Sequence, residues 1–566
     1  LDAEVAQLFQ DIALAISCAV VLSLLVSVLV IPTLCTNLMR APSREAANSN
    51  WFADELQRLV SKICLNRSLR LGVIVTLTLV SLFVSWFFLP PAEYLPEGSR
   101  NLVFSILIPP PGFNLDEMVR IGQDLEGDLE ELWSGESPPI KNFFFVAMGT
   151  RMFMGFRASH SDHVEELMEK VQATLSKVPG MIAVVIRAGL FGRGLSGGRS
   201  IDLRIQGPEL KKLMGLASRV FFSLMAELKG AQIRPEPGLS LGQPELQVKP
   251  KIHPLAEAGW TSTELGQIVD SLVDGTRAGE FRLKDGKLVD VILRSDQSRI
   301  LHTQDLENIP LFIPGKGIAP LGGIATISQE MGPTAIHRFE TIRAITLKVS
   351  LPREMPLETA METIRSKVMA PIDSEFKAPY SWKMAGTADK LTSTRIALQG
   401  LFLTAAIVIY LLMSSLFQSF LYPLVILFSV PLASMGGILA LRVVNLTIAH
   451  QSMDVLTMLG FVILLGTVVN NAILLVDKTL QFTREKNTPP WQAVGFAVSL
   501  RVRPILMSTL TSLFGLAPLV LMTGPGSELY RGIGSVILGG LLVSTIFTLI
   551  LIPALMCTIL EWKRPK

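Results

Sequence analysis

Six stretches of this chain contain no Asp, Glu, Lys or Arg, and they dictate the solvent it can fold in. They are Ile12–Met39, Leu71–Ala92, Ile396–Leu441, Val455–Val476, Pro504–Ser527 and Gly532–Leu560. Each is at least 22 residues long, and the third reaches 46. A bilayer core of about 30 Å needs about 20 apolar residues of helix, so each can cross once and the third twice. The third has a natural break at Ser414–Phe420, followed by Tyr422-Pro423. The expectation is seven transmembrane helices: one, one and then five. One apolar run alone could be a buried core helix, but seven in one chain point to a membrane protein.

Composition agrees. Charged residues make up 17% of the 566, against about 25% in an average soluble protein. That deficit excludes a disordered chain and argues against a wholly soluble one. Lys+Arg is 51 and Asp+Glu is 48, a net charge of +3, which supplies no basic face for nucleic acid. The four cysteines, at 18, 35, 64 and 557, do not make a disulfide framework. Neither they nor the six histidines are spaced as metal ligands, so no metal or cofactor is expected. No GxSxG, HExxH, phosphate loop or nucleophile–base pair is evident, which argues against an enzyme.

Basic residues give the orientation. Arg40, Arg44, Arg58, Lys62, Arg67 and Arg70 lie between the first two runs. Lys478, Arg484, Lys486, Arg501 and Arg503 flank the connection from Asp477 to Arg503, and Lys563, Arg564 and Lys566 form the tail. All fall on one side if seven spans alternate, so that side is cytoplasmic. The long segment from about Glu93 to Arg395 then faces outward. The chain opens on Leu1 with no basic region before its first span, which is not a secretory signal. This start is read as part of a longer protein.

The outward segment carries soluble patterns. Asn101–Ile108 reads as a strand, Leu115–Trp133 as an amphipathic helix, Ile201–Gln206 as a strand, Glu209–Leu228 as a helix and Glu245–Lys249 as a strand. Ile342–Leu351, Pro356–Val368 and Tyr380–Met384 repeat strand, helix, strand. Such units suggest split, ferredoxin-like βαβ subdomains. Residues 256–332 differ: a helix at Thr261–Val273, then Phe281–Leu283 and Leu288–Arg294 joined by a Lys284-Asp285-Gly286 turn. This block reads as an inserted α+β subdomain with a hairpin. The fold class expected is an α+β membrane protein. Its segments are 1–39 and 71–92 as single spans and 40–70 as a cytoplasmic connection. The external subdomains are 93–255 and 333–395, with the insertion at 256–332. A five-helix bundle at 396–560 and a tail at 561–566 complete the chain.

One external run bears on ligands. Phe143, Phe144, Phe145, Met148, Met152, Phe153, Met154 and Phe156 fall within 14 residues, with Gly149 and Gly155 among them. A core strand and its neighbour would explain the run. So would an adaptable apolar binding surface, which flexible Met and Phe provide.

The first and last spans repeat. Ser23–Leu34 aligns with Ser544–Leu555, Ile-Pro included, at a constant offset of 521. Internal repeats mark transporters whose halves move against each other. Together with Gly466–Asp477, Arg501–Thr509 and Glu97-Gly98 ahead of Leu107–Gly112, the layout resembles a resistance-nodulation-division efflux permease of the hydrophobe/amphiphile type, and specifically its C-terminal half. The resemblance covers essentially the whole chain. It implies substrate/proton antiport of small amphiphilic compounds in a bacterial inner membrane. It also implies a homotrimer, a periplasmic adaptor, an outer-membrane channel and a missing N-terminal half as partners.

Asn470 and Asn471 sit inside the fifth span. Tandem Asn there is costly unless partnered, and the residues alone fit interhelical hydrogen bonding or the wall of a proton pathway equally. The resemblance implies a proton relay in which Arg501 holds the family's arginine position, Ser508 its hydroxyl position and Asn470 its lysine position. That last is a departure from the family pattern. The partner carboxylates belong to the missing half. The resemblance also places Phe144, Met148, Phe153 and Phe156 near the substrate cleft, and Ile201 and Leu203 near an entrance strand. A heavy-metal exporter with Met148, Met152 and Met154 holding soft Cu(I) is a second reading. A non-transporting membrane scaffold is a third.

Overall fold

The computed structural model describes residues 3–38, 51–95, 101–109, 113–133, 139–148, 151–160, 164–188, 199–239, 243–295, 303–333, 335–352, 355–485, 488–522 and 526–562. Several features singled out in the sequence lie outside the described residues: Arg40, Arg44, Glu97-Gly98, Pro110–Gly112, Gly149, Lys486 and the basic tail.

Among the described residues, seven helices are long and apolar enough to cross a membrane. They are Gln10–Thr36, Arg67–Phe88, Thr387–Phe417, Leu421–Thr447, Val455–Arg484, Pro490–Leu521 and Ser527–Trp562, called the first to seventh spans below. The break anticipated near Ser414 is where the third span stops: Gln418 takes a left-handed conformation with φ 51°, and a new helix starts at Leu421. The seventh span is the axis of the bundle, with 67% of its apolar window buried, against 0% for the first span. Small residues let its neighbours close in. A Cβ on Gly436 of the fourth span would stand 2.5 Å from the Gly539 carbonyl oxygen of the seventh, so the two backbones touch there.

Outside the spans the chain builds two βαββαβ units. In the first, β1 (Leu102–Ile108), β2 (Ile140–Met148), β3 (Arg151–Ala158) and β4 (Ile182–Arg187) form one sheet in the order β2-β3-β1-β4. Helices Leu115–Leu129 and Val164–Leu175 cover one face. The first helix starts where the Asn114 side chain accepts the Glu117 N–H at 2.8 Å, an N-cap. The second unit opens with β5 (Ser200–Gln206) and β6 (Gln232–Glu236). It is then interrupted by an insertion holding β7 (Gln243–Pro250), the β8 (Thr276–Arg282) and β9 (Leu288–Leu293) hairpin, β10 (Pro310–Ile313), β11 (Gly317–Pro320) and β12 (Ala325–Gly332). It resumes with β13 (Arg338–Phe339), β14 (Ile342–Ser350) and β15 (Ser381–Gly386). Its strands lie in the order β6-β14-β5-β15, which repeats the first unit's arrangement. Both are the split βαβ topology.

The strand expected at Glu245–Lys249 forms, but in another place. It pairs along its length with β12, Val248 opposite Ile327, and so belongs to the root of the insertion, not to the sheet of the second unit. Local pattern identifies a strand; only its pairing partner assigns it to a sheet. The helix expected at Thr261–Val273 spans Ser262–Val273, with a reciprocal capping box between Thr261 and Glu264.

Candidate functional site

Two places gather the residues singled out above. The first lies where the fifth, sixth and seventh spans meet. Asn471 is 5% exposed, and its Nδ2 donates to Thr509 Oγ1 at 3.5 Å. Ser508 Oγ lies 3.4 Å from Asn471 Oδ1 and 3.0 Å from the Ile505 carbonyl, so its one proton has two acceptors. Thr509 Oγ1 and Thr545 Oγ1 are 3.0 Å apart, and Thr545 also reaches the Leu541 carbonyl at 2.7 Å. If Thr545 donates to that carbonyl, every donor in the row points one way, from Ser508 through Asn471 and Thr509 to Thr545. The row is neutral. It satisfies a buried amide that would otherwise cost several kcal/mol in hydrocarbon.

Asn470 stands on the other side of the same helix turn and is exposed, in line with Gly466 and Thr467. Ser508 is exposed on the adjacent face of the sixth span. The tandem therefore divides: Asn471 faces into the packing, and Asn470 faces out of it. Arg501 lies two helical turns before Ser508, about 10 Å along the axis. Among the described residues it has no hydrogen bond to the row, and its buried Nε has no partner. Thr509 and Thr545 were not singled out in the sequence. A hydroxyl one turn-step from Ser508 and another in the Ser544-Thr545 pair of the repeat were the available signals.

Asp454, one residue before the fifth span, is wholly buried and caps the span by accepting the Thr457 N–H at 2.7 Å. Burial pushes its carboxyl up to about 7, with the Thr457 and Leu456 N–H groups opposing and nearby Glu93 adding to the push.

The second place is the first unit's sheet. Alternation divides its side chains. Phe143 and Phe145 lie against the helices with Phe156, Met152 and Met154, the last three buried at 0%. Phe144, Val146 and Met148 are 42%, 43% and 62% exposed on the opposite face. Phe104 stacks edge-on against Phe144 there, ring centroids 6.1 Å apart. Gly155 lies directly under that ring; a Cβ would come within 2.3 Å of it. Phe153, opposite Val146 and Ile106 in the ladder, is on the same face.

The structure thus keeps Phe144, Met148 and Phe153 together as an open apolar face. It places Phe156 in the core behind it. Ile201 and Leu203 are also at 0% exposure, sealed under the helices of the second unit. Strand parity turns these three inward, away from the open face. The same parity separates Met148 from Met152 and Met154, so the three sulfurs cannot meet on one ion. A small cleft at the insertion's root, lined by Met214, Pro237, His337 and Arg343 among others, coincides with neither place.

A family model described as the AcrB/AcrD/AcrF family matches residues 1–559. Two solved structures are similar in fold, both described as X-ray crystal structures of a heavy metal efflux pump. Crystal form II superposes with a TM-score of 0.75 at 20% identity, covering 96% of this chain and 54% of that one. Crystal form I gives 0.72 at 18%, covering 91% and 52%. The chain therefore spans about half the length of the structures it matches.

Proposed function

Because the chain belongs to the AcrB/AcrD/AcrF family of resistance-nodulation-division permeases, a family of transporters and not of enzymes, we propose that it supplies seven spans and two external units to a proton-driven exporter of small amphiphilic compounds in a bacterial inner membrane. The open face of Phe104, Phe144, Val146, Met148 and Phe153 is the observation that carries the cargo class. Exposed aromatic and methionine side chains gathered on one sheet face suit apolar bodies of varied shape. In the membrane, Asn470 and Ser508 present neutral hydrogen-bonding groups on uncovered faces, with the cations Arg501 and Arg503 earlier on the sixth span. Carboxylates brought against that surface by the rest of a longer protein would be hydrogen-bonded from it in either protonation state. Their proton uptake would bias how the bundles sit together. Assembly as a homotrimer with a periplasmic adaptor and an outer-membrane channel belongs to the same proposal.

A soft metal ion is the alternative cargo, favoured by what the two similar structures are described as. It is disfavoured by the division of the three methionines between two faces of one sheet. Cells producing the whole transporter should expel ethidium and lose that ability when a protonophore collapses the gradient. Protection against copper or silver salts without any dye export would overturn the amphiphile reading.

A further inference from the structure

Where the membrane helices meet the second external unit, a buried ion pair ties distant stretches of chain together. Glu93 follows the second span, and its side chain is 3% exposed. Its Oε1 accepts from Arg199 Nη2 at 2.7 Å and from the Leu357 N–H at 2.7 Å. The same Arg199 nitrogen donates to the Met355 carbonyl at 2.9 Å. Arg199 immediately precedes β5, and Leu357 begins the helix packed under that sheet.

The backbone of the strap 92–94 is held on its other side by the entry to the fifth span. Glu93 N–H donates to the Met453 carbonyl at 3.1 Å, and Val455 N–H donates to the Tyr94 carbonyl at 3.3 Å. Ala92 N–H donates to Glu358 Oε2 at 2.7 Å, and Glu358 Oε1 takes Arg395 of the third span at 2.6 Å.

Geometry gives this knot a mechanical meaning. The second unit is joined covalently to the membrane through β15, which runs into the third span at Gly386, a residue with φ 72°. A body held only there could turn about it; Glu93 with Arg199, and Glu358 with Ala92 and Arg395, hold the unit at further points. A buried charge pair is also a poor choice for stability alone, because desolvation cancels most of its attraction. We propose that Glu93 and Arg199 are positioning residues, a latch that makes the second external unit move with the entry of the fifth span. This rests on the exporter reading above. The latch stays closed through the cycle and acts through the strap, without touching substrate or proton.

The test uses the whole transporter in proteoliposomes, with ethidium as cargo and trapped pyranine reporting protons. E93Q keeps the shape of Glu93 and an acceptor for Leu357; R199Q removes the cation. Both should bind ethidium within about twofold of the unmodified protein, since neither meets the cargo. Ethidium-linked proton movement should fall by about 2- to 30-fold, the span of a disturbed coupling path. The exchange E93R/R199E should recover most of the loss. Unchanged coupling in both single variants would overturn the latch. So would an exchange that recovers nothing, or failure of both single variants to accumulate in the membrane, since the pair would then be holding the fold. If the unmodified transporter itself moves no protons with ethidium, the exporter reading fails first and the latch falls with it.

Discussion

The two external units have one topology and opposite outer faces. Inward, both sheets present apolar residues to their helices: Val103, Leu107 and Phe156 in the first, Ile201, Leu203 and Leu347 in the second. Outward, the first shows Phe104, Phe144, Val146 and Phe153. The second shows Asp202, Arg204, Arg234, Glu236 and Lys348. Glu236 takes Arg234 and Lys348, both at 2.8 Å, and Arg204 lies 4.0 Å over the Phe339 ring. The lesson is that topology fixes where the second face is, and sequence alone fixes what it can meet. A charged lattice whose carboxylate holds its neighbouring cations can stand at a wetted surface. An aromatic face cannot without cost, and it gains by meeting something apolar.

The sharpest break between inner and outer roles is within one ladder. Phe156→Ala should cost about 3–5 kcal/mol of stability, the usual cost of truncating a core aromatic, read as a fall in thermal midpoint. Its outward counterpart Phe144→Ala should cost below about 1 kcal/mol yet weaken ethidium export. Equal stability losses at the two positions would erase the distinction between the faces. Next in size is Glu236→Ala on the charged lattice. It strands the partly buried cations Arg234 and Lys348, and about 1–3 kcal/mol should be lost; wild-type stability would show that the lattice is ornamental.

Acidity separates the faces further. Burial raises the Asp202 carboxyl above the ordinary range, against the pull of Lys348 and Arg204. The folded state then holds its proton more tightly than the unfolded chain. That contribution to stability is fully present at low pH and is lost as pH rises from the ordinary carboxylate value through the raised one. Asp202→Asn should remove this downward slope; an unaltered pH profile of unfolding would contradict it. The smallest effect belongs to the solvent side of the second unit's helices. Arg219 and Glu375, paired at 2.5 Å with side chains 58% and 36% exposed, should contribute at most about 1 kcal/mol. Arg219→Ala should leave both melting and export nearly unchanged.

Legibility in the sequence followed the range of the physics. Strands β1, β5 and β14 and their helices could be read from alternation and amphipathic spacing, because those patterns repeat within a few residues. Which sheet β7 joins could not, since its partner β12 is about eighty residues away. The Phe143–Phe156 run announced an apolar surface, but its division into core and open face needed the hairpin register. In the membrane, the Asn470-Asn471 pair was conspicuous by cost. Thr509 and Thr545 were not, because a threonine in a span can satisfy its own helix and carries no visible penalty.

The charge-free runs by themselves determined where apolar helix lies along this chain, because the cost of burying a charge is a property of each residue and adds along the chain. They did not fix the helix ends, since the sixth span starts at Pro490 and takes in Arg501 and Arg503 ahead of its run. Tertiary structure alone decided which asparagine of the tandem is buried, which aromatics remain open, and that Glu93 meets Arg199 across 106 positions of sequence. Those outcomes depend on pairs of groups brought together by packing, and a pair has no address in either partner's neighbourhood.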